Sequence, residues 1–153
     1  MKETDPICRY ICRFADLYPT KPIDAYWNDY IIQWYQKFFN EVHASLLTFG
    51  AESKKNRAKS LATVLPEWLE KMKPYYKEGW VVGDGQKFYM ADFYIGTIWT
   101  DILNNPGTWI KPEERKVLCD QFPEFVAYGK RFEAENASFL AKRKGIWKTD
   151  PEF

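Results

Sequence analysis

The first candidates for chemistry in this 153-residue chain are its three cysteines and its single histidine. Cys8 and Cys12 lie four residues apart, on one face of a predicted helix, and Cys119 lies far downstream. The spacing matches neither a zinc ribbon nor a C-x-x-C redox site, and His43 alone adds too few ligands to hold zinc. An odd cysteine count in a chain of this length is not typical of a disulfide framework. We therefore predict structural thiols, no metal and a reducing compartment.

No other segment carries a specific catalytic motif. His43 is the only candidate general base, and no serine, cysteine or carboxylate is fixed beside it by spacing. The Gly-rich residues 79–86 have neither a preceding strand nor a following Gly-Lys-Ser/Thr, so they predict a connecting loop and not a phosphate site. The basic residues 53–59 lack aromatic or Gly-rich partners and predict a solvated helix face. We predict no catalytic residue.

The composition narrows the classes of protein further. Twenty-two basic and 21 acidic residues leave a net charge of +1, which argues against a nucleic-acid binder. Hydrophobic residues make up 46% of the chain and aromatic residues 18%, which favours a folded domain over disorder. No apolar run approaches the roughly 20 residues that span a bilayer, and the N-terminus lacks an apolar signal segment. We expect neither membrane insertion nor secretion, and a cytoplasmic location.

Helical periodicity dominates every long segment, so the predicted fold class is an all-α bundle. A first helix begins near Thr4 or Asp5 with Pro6 in its first turn and carries an apolar stripe of Ile7, Tyr10, Ile11 and Phe14. Further helices are predicted over residues 23–49, 89–103, 112–119, 123–132 and 135–144. A third helix in chain order begins with residues 53–59, and Pro74 and Gly79 weaken its end. Gly50 is expected to end the second helix as its C′ residue, and Pro66 to bend the third.

Several local motifs, in their order along the chain, resemble the C-terminal helical domain of the cytosolic glutathione S-transferases. They are residues 8–14 with 17–19, Leu65-Pro66-x-x-Leu69, Val81-Val82-Gly83-Asp84, Ala91-Asp92-Phe93, Phe122-Pro123-x-Phe125 with Arg131, and Phe139-Leu140. The resemblance covers roughly residues 3–144. It implies that residues 1–18 are the last helix of a thioredoxin-like half with its linker, and that residues 19–153 are the helical domain.

The resemblance also implies roles for several residues. Asp92 resembles the family's structural cap at the start of its buried central helix, where a carboxylate can accept bonds from free N–H groups. Tyr89 stands where the family has Ser or Thr, so the capping box is expected to be incomplete. Glu3, Thr4 and Asp5 resemble the segment that holds the γ-glutamyl group of glutathione, although Pro6 removes one N–H donor from that turn.

The resemblance implies a further group of residues that lines a pocket, and the aromatic content points to another group that forms an interface. An apolar pocket for electrophiles would be lined by Tyr35, Phe39, His43 and Trp99, although aromatic residues at this spacing also fit a plain core. Surplus aromatic residues in loops and tails favour protein interfaces. The predicted interface anchors are Trp80, Trp109, Trp147 and Phe153.

Three functions remain open at this point. The first is a noncatalytic structural or adaptor subunit of a larger assembly, because catalysis in the family depends on the thioredoxin-like half. The second is a fragment of an active glutathione S-transferase, with glutathione as cofactor. The third is a small-molecule binding module without chemistry. The expected partners are other protein subunits. Pairing with a second copy stays open, and a ciliary or mitochondrial assembly fits the composition as well as the cytosol does.

Overall fold

The computed structural model describes residues 4–46, 50–76, 78–108 and 110–143, and every regular element in these ranges is a helix. In these ranges eight α-helices follow one another, with two π-helical turns among them. They are α1 (Thr4–Phe14), α2 (Pro22–Leu46), α3 (Gly50–Lys59), a π-turn (Ser60–Val64), α4 (Leu65–Tyr76), α5 (Met90–Thr97), a second π-turn (Ile98–Leu103), α6 (Pro112–Gln121), α7 (Pro123–Glu135) and α8 (Ala137–Lys142). The predicted all-α bundle is confirmed. Within the described ranges, no helix combines the length and apolarity that crossing a membrane requires.

Helix α5 is the centre of the bundle and packs against both α2 and α7. Its buried residues are Met90, Ala91, Asp92, Ile95 and Gly96. The sequence MADFYIGT has apolar residues around the whole helix, which is typical of a helix enclosed by others. The rest of the bundle therefore covers the start of α5, where a charged residue lies.

Two glycines allow α5 and α7 to approach closely. A Cβ atom added at Gly129 of α7 would lie 2.3 Å from the Trp99 ring, in the π-turn that follows α5. A Cβ atom added at Gly96 of α5 would lie 2.2 Å from the Phe132 ring of α7. Trp99 therefore packs on Gly129 of α7, and Phe132 packs on Gly96 of α5. Both positions need glycine because a larger residue would not fit there. The backbone conformation is not the reason, since neither glycine has a positive φ.

The predicted bend at Pro66 takes the form of a π-turn. Proline has no N–H to donate to the carbonyl of Ala62, so an ordinary α-helical bond is missing there. The Leu65 N–H bonds instead to the carbonyl oxygen of Ser60, five residues back. The helix is therefore widened just before Pro66, and α4 continues from Leu65 with Pro74 in its last turn.

The prediction that Gly50 ends the second helix is wrong. Helix α2 ends at Leu46, and Gly50 is the first residue of α3. Glycine is tolerated at a helix start, and the Ala, Glu, Lys and Arg residues that follow it have high helix propensity. Here the following sequence outweighed the C′ preference of glycine.

Candidate functional site

A fully buried polar site surrounds Asp92, in the first turn of α5. One carboxylate oxygen accepts bonds from the Val81 N–H at 3.0 Å and from the Tyr128 hydroxyl at 2.8 Å. The other oxygen accepts a bond from the Tyr89 N–H at 2.9 Å. Asp92 is completely buried. It therefore joins the preceding loop, the start of α5 and α7 into one polar centre.

Tyr89 fills the N-cap position without a side-chain bond. Its backbone carbonyl accepts the Asp92 N–H at 3.0 Å, and its own N–H is satisfied by the Asp92 carboxylate. As expected, the capping box is incomplete: the Asp92 carboxylate accepts the Tyr89 N–H, but the Tyr89 side chain makes no capping bond. A second buried residue completes the cap.

Asn28 of α2 is this second residue, and sequence reasoning missed it. Its side-chain oxygen accepts the Ala91 N–H of α5 at 2.9 Å, and its side chain is completely buried. Asn28 lies three and four residues before the buried Ile31 and Ile32, on the inner face of α2. A polar residue in phase with an apolar stripe is the signal that could have found it.

Arg131 closes this region from the α7 side. Its guanidinium lies 4.9 Å from the Trp80 ring centroid and donates a hydrogen bond to the Gly79 carbonyl. Trp80 also makes an edge-on contact with Tyr128, at 5.9 Å between ring centroids. The half-buried indole of Trp80 thus packs within this chain, and its predicted role as an interface anchor stays a prediction.

The Asp92 carboxyl has a strongly altered acidity. Burial raises its pKa from 3.8 to about 6, although three hydrogen bonds and the positive charge of Arg131 act in the opposite direction. The same burial raises the pKa of the Tyr128 hydroxyl, so that it stays a donor. The Asp92 carboxyl therefore holds the start of α5 in place, and a change of pH alters its charge.

This acidity predicts a pH-dependent stability that an Asp92→Asn variant lacks. A folded-state pKa above the unfolded value means that the folded chain binds more protons between about pH 4 and pH 6. This contribution is therefore complete below pH 3.8 and is lost as the pH rises through about 6. The gap between the two pKa values is worth about 3 kcal/mol.

The measurement is urea unfolding of both proteins from pH 3.5 to 8. As the pH rises from 3.5 to 7, we expect the free energy of unfolding of the wild type to fall by about 3 kcal/mol relative to that of Asp92→Asn. Above pH 7 the difference between the two proteins should stay constant. A difference that does not change with pH would show that Asp92 has an ordinary pKa.

The residues predicted to hold glutathione are only partly described. Glu3 lies outside the described residues, and Thr4 is exposed. Asp5 accepts a bond from the Tyr94 hydroxyl at 2.7 Å and another from the Gln36 amide. Both carboxylate oxygens are thus engaged by α2 and α5, so a ligand at this turn would compete with contacts inside the chain.

The predicted apolar pocket is not assembled as one cavity among the described residues. Tyr35 stacks on Phe39 at 5.8 Å and makes an edge-on contact with Tyr94 at 5.3 Å, between α2 and α5. Trp99 is buried against Gly129 of α7 instead. The side chain of His43 lies outside the described part of the structure. Three described cavities are lined by other residues.

The remaining predicted anchors, Trp109, Trp147 and Phe153, also lie outside the described residues. The thiols of Cys8, Cys12 and Cys119 are free and half-buried. Burial raises the pKa of Cys12 and of Cys119, which keeps both thiols protonated and weakly nucleophilic.

Helix α1 has its polar side turned toward the bundle. Asp5 bonds to α2 and α5, and Arg9 pairs with Asp29 of α2 at 3.1 Å. Cys8 and Cys12, at the same helical spacing, pack against the core.

The opposite face of α1 is apolar and is formed by Ile7, Tyr10, Ile11 and Phe14. We call it the α1 outer face. All four of its residues are exposed, and Phe14 is 77% exposed. A helix at the surface of a globular domain normally turns its apolar stripe toward the core and its polar stripe toward solvent.

No protein-family model matches the chain, and no curated protein matches its sequence. Solved structures do match it. The chain is similar to NaGST-2, with a TM-score of 0.75 and 18% identity over 96% of this chain and 71% of that one. It is also similar to a protein described as monomeric Na-GST-3, a glutathione S-transferase from the hookworm Necator americanus. That match has a TM-score of 0.76 and 17% identity over the same shares of the two chains. The chain therefore has an all-α fold like that of the C-terminal helical domain of glutathione S-transferases.

Proposed function

We propose that this chain is a noncatalytic, glutathione S-transferase-like helical subunit that docks onto another protein of a larger assembly through the α1 outer face. The observation that carries the proposal is the orientation of α1, whose apolar stripe faces solvent while its polar stripe faces the bundle. Exposed apolar surface of this kind is typical of protein interfaces.

The chemistry of the α1 outer face supports a protein partner. It consists of two isoleucines and two aromatic residues, with the Tyr10 and Phe14 rings in edge-on contact at 4.8 Å. Large aromatic residues in such a patch are the usual anchors of binding energy. The two arginines of α1 make contacts within the chain and not on its outer face. Arg9 is paired with Asp29, and Arg13 lies 5.0 Å from the Tyr18 ring centroid. The partner therefore presents an apolar recess.

The state of the polar residues also favours docking over catalysis. Asp5 is engaged within the chain, and Tyr94, which donates to it, has a pKa raised by burial and by that carboxylate. A phenol of raised pKa stays protonated near neutral pH, so it cannot serve there as a general base. These residues position α1 and perform no proton transfer in the proposal.

The test compares Phe14→Ser with Val117→Ser. Both residues are highly exposed, at 77% and 65%, and Val117 belongs to α6 and not to the α1 outer face. We expect Phe14→Ser to leave the free energy of unfolding within about 0.5 kcal/mol of the wild type. The tagged variant is expected to lose most of the partner protein that co-purifies with the wild type from native cells. Val117→Ser should retain it.

Two results would contradict the proposal. One is a wild-type chain that runs as a free monomer at native concentration. The other is conjugation of glutathione to a generic electrophile by the purified chain, which would indicate a transferase. Retention on glutathione-agarose without turnover would instead favour a binding module.

A further inference from the structure

A cavity of about 250 Å³ lies between α2 and α4, and no residue of the α1 outer face lines it. Its floor is aromatic and its rim is charged. The lining residues are Trp34, Lys37, Phe38, Glu41, Val64, Glu67, Trp68 and Lys71. None of them belongs to the pocket expected from the sequence. The volume is just below that of drug-sized sites, so the cavity fits a small molecule with one aromatic group.

Trp68 gives the cavity an aromatic floor. The residue is 95% buried, lines the cavity and packs on Phe38 at 5.0 Å between ring centroids. Its indole Nε1–H is closed off from solvent and makes no hydrogen bond with any described residue. A ligand in the cavity would therefore contact the Trp68 ring and not its N–H.

The charges at the rim are separated along the cavity. The ring contacts pair Trp27 with Tyr75 and Phe38 with Trp68, and Lys71 lies 5.9 Å from the Trp34 ring. Residue numbers thus rise along α2 as they fall along α4, so the two helices are antiparallel.

This antiparallel arrangement has a direct consequence for the four rim charges. Lys37 precedes Glu41 on α2, whereas Glu67 precedes Lys71 on α4. The two lysines therefore lie toward one end of the cavity and the two glutamates toward the other. None of the four forms an ion pair with another described residue.

We propose that this cavity binds an aromatic zwitterion, a molecule with one aromatic ring system, one carboxylate and one ammonium group, such as an aromatic amino acid. The ring would pack against Trp34 and Phe38, and the carboxylate would face the lysines. The ammonium group would face Glu41 and Glu67. The π-turn Ser60–Val64 contributes Val64 to the wall, and such turns often occur at binding sites. The proposal is independent of the docking role of α1.

The experiment uses the full chain and L-tryptophan as the probe, followed by titration calorimetry and by the indole N–H signals in nitrogen-15 NMR spectra. For a ligand of this size we expect a Kd on the order of 1 mM. The Trp68 signal should shift on titration. 3-Indolepropionate, which lacks the ammonium group, and tryptamine, which lacks the carboxylate, should each bind at least threefold more weakly.

A matched pair of variants tests the charges. Lys71→Gln removes one of the two lysines at the carboxylate end, and we expect it to weaken L-tryptophan binding about 2- to 5-fold and to reduce the preference for L-tryptophan over tryptamine. Lys116→Gln is the control, since Lys116 is an exposed lysine of α6 outside the cavity. It should bind as the wild type does.

The proposal is overturned if L-tryptophan does not bind at 10 times the expected Kd, if all three probes bind equally, or if Lys71→Gln and Lys116→Gln weaken binding to the same degree. It is also overturned if Lys71→Gln alters self-association in sedimentation experiments while L-tryptophan has no effect. That result would assign the cavity to a side chain of a second copy.

Discussion

Replacing Asp92 by alanine is expected to lower the free energy of unfolding by about 3–5 kcal/mol at pH 7. The substitution leaves three donors without an acceptor, namely the Val81 and Tyr89 N–H groups and the Tyr128 hydroxyl. Each unsatisfied buried donor costs about 1–3 kcal/mol, and the desolvation of the carboxylate that is recovered offsets part of the sum. Urea unfolding followed by far-ultraviolet circular dichroism measures the change.

Asp92→Asn is the matched control for this substitution. The amide keeps one acceptor oxygen but places an NH₂ group against a donor, so we expect a smaller loss of about 1–2 kcal/mol. An alanine variant as stable as the asparagine variant would mean that water replaces the carboxylate, and that Asp92 does not hold the start of α5.

Gly129→Ala is expected to destabilise the chain by about 3 kcal/mol, although alanine has the higher helix propensity. The propensity difference alone would stabilise α7 by about 1 kcal/mol. The new methyl group, however, would lie 2.3 Å from the buried ring of Trp99, so α5 and α7 have to separate or the ring has to move. Overpacking of this kind costs more than the propensity supplies. Equilibrium unfolding in urea gives the sign directly.

Two variants separate the steric effect from propensity. Ala127→Gly, at an exposed position of the same helix, should cost about 1 kcal/mol through propensity alone. In a Trp99→Leu background the penalty of Gly129→Ala should fall by at least half, because the smaller side chain leaves room for the methyl group. A Gly129→Ala variant more stable than the wild type would contradict the close packing of α5 on α7.

The positions of the helices were largely predictable, for local reasons. Helical periodicity together with prolines at residues 6, 112 and 123 marks helix starts through rules that act within one turn. The same rules were wrong at Gly50, where the residues that follow favour helix and a single glycine does not decide the boundary. Pro66 was predictable as a disturbance, but its form as a π-turn depends on how α4 packs.

The candidate sites were less predictable, because they depend on residues distant in the sequence. The resemblance to the transferases predicted Asp92 as a cap, and the carboxylate is in that position. Asn28, which caps the same helix, is 63 residues away from its partner Ala91. The expected pocket residues Tyr35 and Trp99 lie on different contacts of the core. Spacing along one helix does not indicate which neighbouring helix a side chain meets.

The sequence alone determined that this chain forms a helical bundle with a transferase-like order of motifs, since periodicity, prolines and caps are local properties. Only the tertiary structure decided which stripe of α1 faces solvent, because that helix carries a polar stripe and an apolar stripe of equal length. Asp5 and Arg9 find partners on α2 and α5, and the apolar stripe is left outside. The tertiary structure likewise decided that Lys37 and Lys71 share one end of a cavity, through the antiparallel packing of α2 and α4.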